Sequence, residues 1–95
     1  MVKSKPDDVT GWELMEVLSK IKGAEEIDIF LKDLLTPGEY SEVKRRWQII
    51  RLLNNGLTQR QVAKKIKIAI ATVTRGARVL NNPVGGFNKV LKNKK

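Results

Sequence analysis

Apolar residues recur along this chain at intervals of three and four, the period of an α-helix, and nowhere form an alternating run of β-branched residues bounded by turn dipeptides. The pattern predicts an all-α fold. A first helix over about residues 11–22 sets Leu14, Met15, Leu18 and Ile21 at helical spacing, with Gly23 as its stop. A second, over about residues 25–35, repeats Ile27, Phe30, Leu31 and Leu34, while Glu25, Glu26 and Asp28 crowd the positive end of its dipole. Thr36-Pro37-Gly38-Glu39 then has a hydroxyl at the cap, proline at the first helical position and glutamate three residues after the cap, which is a capping box. The helix that it opens is expected to reach about residue 54 and to bury a stripe drawn from Tyr40, Val43, Trp47, Ile50 and Leu53. Asn54-Asn55-Gly56 ends it. Trp12 and Trp47 read as core or interface anchors.

A second capping box, Thr58-Gln59-Arg60-Gln61, opens a helix too short to stand alone. From Gln59 onward, Val62, Ile66, Ile68 and Val73 are spaced to bury one face of each of two short helices, and small Ala63 lies where two steeply crossed helices must touch. That is a helix-turn-helix pattern. Its turn usually favours glycine at positive φ, and Lys67 holds that place at a modest cost in strain. The second helix, about residues 69–80, presents Ile70, Ala71, Thr72, Thr74, Arg75 and Arg78.

Such a surface suits the major groove of DNA. Ile70 and Ala71 fit thymine methyl groups, and Thr72 and Thr74 can contact a base or a phosphate. Gln59 reads as a phosphate contact at the start of the supporting helix, Arg60 can reach a guanine bidentately, and Lys64, Lys65, Lys67 and Arg78 supply phosphate contacts.

Charge sharpens this reading. The 95 residues carry a net +9, divided as −4 over residues 1–40 and +13 over residues 41–95, where fourteen basic side chains meet one acid, Glu42. A half-chain with that balance seeks a polyanion. With no His and no Cys, and no carboxylate in the motif half beyond Glu42, there is no zinc ligand set, no disulfide and no acid and base pair, so an enzyme is not expected. The opening residues show no apolar run behind their lysines, and no stretch approaches the ~20 apolar residues of a membrane span. A cytoplasmic protein without a membrane partner is the expectation.

Leu35-Thr36-Pro37, Leu57-Thr58-Gln59-Arg60 and Ile70-Ala71-Thr72-Val73-Thr74-Arg75-Gly76 together resemble the bacterial tryptophan repressor family over about residues 27–82, the last run being the most specific. The resemblance implies one helical domain over residues 1–95: dimerisation helices at 11–55, a DNA-reading head at 57–80, and a C-terminal helix and basic tail at 83–95. It further implies an intertwined homodimer on a palindromic operator, and L-tryptophan or a related indole as corepressor rather than a bound cofactor. By position, Thr36 would touch that ligand, Arg46 would lie on one face of its ring, and Arg75 would lie on the other and meet its carboxylate. Gly76 would leave room beside the ring. The segment between the third helix and the motif is one residue shorter than in the family, so Arg45 remains an alternative to Arg46. Val79 stands where the family has a serine near the ligand's amino group. The rival reading is a helix-turn-helix module without ligand control, holding RNA or docking on a transcription complex.

Overall fold

The structure is a computed structural model that describes residues 9–93. Within them lie α1 (Val9–Lys20), α2 (Ala24–Leu34), α3 (Pro37–Asn54), α4 (Gln59–Ile66), α5 (Ile70–Ala77), a 3-10 turn (Arg78–Asn81) and α6 (Gly86–Asn93), and no strand. Lys94 and Lys95 of the expected basic tail, and the opening residues 1–8, lie outside the described residues. Internal contacts gather into two units, one up to Tyr40 and one from Ser41 on, with the boundary inside α3.

In the first unit, α1 begins two residues before the predicted helix and stops at Lys20. Gly23, at φ +92°, caps the start of α2, where its carbonyl accepts from the Ile27 N–H at 3.2 Å. Neither helix buries a residue: Trp12, Met15, Val17, Ile27, Ile29 and Leu34 are all exposed. The Thr36 capping box forms as expected. Glu39 N–H donates to Thr36 Oγ1 at 3.2 Å, and Thr36 N–H donates to Glu39 Oε1 at 2.9 Å. Asp28 accepts from the Tyr40 hydroxyl and pairs with Lys32 at 3.0 Å, and its hydrogen bonds hold both partners protonated beyond their ordinary pKa values.

The second unit is built around the C-terminal half of α3. Ile49 is 1% exposed, and Val62 of α4 and Val73 of α5 are 0% exposed. Leu52, Leu53, Leu57, Ala63, Ile66 and Ile68 pack around these three. The predicted stripe on α3 is therefore shifted. Ile50 is buried and Trp47 and Leu53 half-buried as expected, but Ile49 joins them and Val43 is exposed. The core here is made by the short helices that follow α3, and these cover its last turns while Val43 precedes them. Gly56 at φ +104° ends α3 in a Schellman arrangement. Its own N–H bonds Leu53 O at 3.0 Å, and the Leu57 N–H reaches back to Leu52 O at 3.2 Å.

The turn between α4 and α5 is also left-handed, but without glycine and with a different bonding pattern. Lys67 sits at φ 57°, ψ 52°, as its place in the motif predicts, and Ala63 O accepts from the N–H groups of both Lys67 and Ile68. The predicted second motif helix runs to residue 80, but α5 ends at Ala77 and tightens into the 3-10 turn. The bond from the Arg78 N–H to Arg75 O begins this tightening, and Pro83 disfavours helical backbone at Asn82 just beyond it. Asn88 then holds the link to α6, donating from Nδ2 to Leu80 O at 3.1 Å and to Asn82 O at 2.8 Å. Trp47 stacks on Phe87 of α6, with ring centroids 6.0 Å apart.

Two outcomes follow for stability. Lys67→Gly removes the left-handed strain and is expected to stabilise the fold by about 0.5–1 kcal/mol, raising Tm by a few degrees; a lower Tm in a circular-dichroism melt would show that no strain is stored there. Val73→Ala removes two fully buried methyl groups and is expected to cost about 2 kcal/mol in urea denaturation.

Candidate nucleic-acid interface

The reading head is fixed from beneath and open above. Thr58 caps α4 by accepting from the Gln61 N–H at 3.1 Å, while Gln61 Oε1 accepts from the Thr58 N–H at 2.8 Å, so the predicted capping box is complete. Val62 and Val73 then bury one side of each helix against the core, and the remaining surface is largely polar and open to solvent. Gln59, Arg60, Lys64, Lys65, Lys67, Ile70, Ala71, Thr74, Arg75 and Arg78 are exposed, and Thr72 is half-buried. Ile70 keeps 46% of its surface in solvent. Arg78 was expected on the second motif helix and is instead the first residue of the 3-10 turn that continues it.

One contact within this set is not visible in the sequence. The Thr74 hydroxyl donates to Gln59 Oε1 at 2.6 Å, tying the first residue of α4 to the middle of α5. The two residues are fifteen apart and obey no periodicity, and only their shared place above the Val62 and Val73 packing brings them together.

Electrostatics favour an anion throughout the second unit. Its one acid, Glu42, pairs with Arg46 four residues on at 3.3 Å, one helical turn apart on α3. Both side chains are largely exposed, so the pair adds little stability, but α4 and α5 are left without any carboxylate. Groups of His, Cys, Asp and Glu able to hold a metal ion are absent among the described residues. No described helix is long and apolar enough to cross a membrane.

The residues assigned to a small ligand divide between the units. Thr36 belongs to the first, where its hydroxyl and N–H serve the capping box and its carbonyl accepts from the Tyr40 N–H at 2.8 Å. Arg46, Arg75 and Gly76 belong to the second. Gly76 lies against the core: a Cβ placed there would meet Ile49 Cγ2 at 3.6 Å, an ordinary contact. Ile49, the neighbour of Gly76, was missed in the sequence, although its spacing to Leu52 and Leu53 is helical. Val79 is 42% exposed. A shallow open cleft of about 380 Å³, lined by Asn54, Leu80, Pro83, Asn88, Leu91 and Lys92, contains none of the expected ligand residues.

Comparison with known proteins agrees with this geometry. The family described as Trp repressor protein matches residues 11–95. A Trp operon repressor homolog of Chlamydia caviae is 39% identical over 85 residues, covering 87% of this chain and 84% of that protein. A homolog so named from Chlamydia trachomatis serovar L2 is 36% identical over 92 residues, covering 92% and 95%. One from Vibrio vulnificus strain YJ016 is 32% identical over 79 residues, covering 81% and 78%. No solved structure matches significantly. With a capped, carboxylate-free helix-turn-helix and a family match over nearly its whole length, the chain belongs to the Trp repressor protein family, whose members are DNA-binding regulators of transcription and not enzymes.

Proposed function

We propose that this protein is a homodimeric repressor that sets two copies of α5 into successive major grooves of a palindromic operator, with L-tryptophan or a related indole as its corepressor. The observation that carries the DNA reading is the open face of α4 and α5, where every expected contact residue except half-buried Thr72 is exposed and no carboxylate intervenes. The reading places the protein in the cytoplasm with its DNA.

A second copy is favoured by the first unit. Its two helices carry Trp12, Met15, Val17, Ile27, Ile29 and Leu34 in the open and bury nothing, which leaves an apolar surface that a lone chain in water rarely keeps. A second chain folding around it would remove that surface from water. Two-fold symmetry then asks for a two-fold site, with half-sites about 34–36 Å apart.

The corepressor reading rests on family membership and on the positions of Thr36, Arg46, Arg75 and Gly76. Guanidinium planes suit both an aromatic face and a carboxylate. Val79 offers no hydrogen bond to an ammonium group, which is why a related indole stands beside tryptophan in the proposal.

DNA affinity is expected to fall steeply with salt, as contacts from Lys64, Lys65, Lys67 and Arg78 release counterions, and a flat gel-shift series from 50 to 200 mM salt, a range across which about six phosphate contacts would lose on the order of 10³-fold, would remove the DNA reading. Palindromic duplex is expected to outcompete random duplex and structured RNA by about 10³-fold, whereas equal competition would favour a module without operator specificity. Calorimetric titration with L-tryptophan, followed by DNA titrations with and without it, tests the switch: identical DNA affinity in both arms ends the corepressor claim. Arg75→Ala is expected to weaken ligand and DNA binding together.

A further inference from the structure

The bond between Thr74 and Gln59 fixes what each can offer to DNA. A threonine hydroxyl has one proton and two acceptor lone pairs, and a glutamine side chain has one acceptor oxygen and two N–H donors. In the structure the single Thr74 proton is given to Gln59 Oε1 at 2.6 Å. What remains on Thr74 is lone pairs alone. Gln59, with one lone pair of its oxygen engaged, keeps both N–H donors free of this bond.

From this we infer that Thr74 reads a base amino group, adenine N6 or cytosine N4, and that Gln59 is the positioning residue that enforces the choice. Phosphate oxygens, guanine O6 and N7 and thymine O4 all accept hydrogen bonds, so none can pair with a hydroxyl whose proton is committed elsewhere. The two amino groups are the donors that the major groove displays. A lone exposed threonine would rotate its proton to suit either kind of partner and discriminate poorly; the bond to Gln59 removes that freedom. Gln59 keeps its donors for an acceptor, which agrees with its expected phosphate contact.

The inference rests on the DNA reading proposed above, and the experiment separates the two. Wild-type protein first selects a duplex from a randomised pool. In copies of that duplex each adenine is then replaced by nebularine and each cytosine by 2-pyrimidinone, which lack only the amino group. The quantity read is the affinity for the parent duplex divided by that for each substituted one. At one position per half-site this ratio is expected to be about threefold to tenfold for wild type and for Thr74→Ser, the worth of one hydrogen bond. It is expected to fall to about one in Thr74→Val and to shrink in Gln59→Leu, where the hydroxyl proton is released to donate. A change in overall affinity cancels from the ratio, so a purely structural role for either residue would leave it unmoved. Thr74→Val keeping the wild-type ratio, Gln59→Leu keeping it, or no position showing one would each overturn the inference while the selected duplex upholds the DNA reading. A pool that yields no enriched duplex overturns both.

Discussion

Three aliphatic side chains hold the functional half of this molecule together. Ile49 from the long helix, Val62 from the supporting helix and Val73 from the reading helix are each excluded from water and pack in one cluster. Helices of eight residues have little stability of their own, because nucleation costs more than two turns of hydrogen bonds return. The packing supplies what the helices lack. It also sorts the side chains: with Val62 and Val73 buried, Gln59, Ile70, Ala71 and Thr74 stay exposed to solvent.

Much of this was legible in the residues themselves. Two capping boxes announce where α3 and α4 start, and both form with reciprocal bonds between cap and third residue. The left-handed turn at Lys67 was readable from its place in the motif despite the missing glycine. Other features were not legible, for reasons that are physical rather than statistical. The bond from Thr74 to Gln59 and the stack of Trp47 on Phe87 join residues that only the tertiary arrangement brings near, so no spacing encodes them. The choice of Ile49 over Val43 on α3 depends on where later helices land. The shortening of α5 into a 3-10 turn begins with the bond from the Arg78 N–H to Arg75 O, which no residue spacing announces.

The two units differ in kind as much as in charge. One is acidic overall, with apolar helix faces in the open; the other is strongly basic, with its own small core. Separating the signs in this way keeps all but one carboxylate out of the basic unit, where each would weaken attraction to a polyanion and slow encounter. A single acidic substitution on α4 or α5 would therefore matter more than its count suggests, since it would be the first in that surface.

The brevity of α5 has a further implication for behaviour in the cell. A helix about 12 Å long that owes its shape to a handful of methyl groups does not loosen by degrees; when the small core gives way, the surface it carries ceases to exist. Regulation by such a protein would be lost abruptly on warming, so heat-sensitive derepression should arise from substitutions that never approach the nucleic acid.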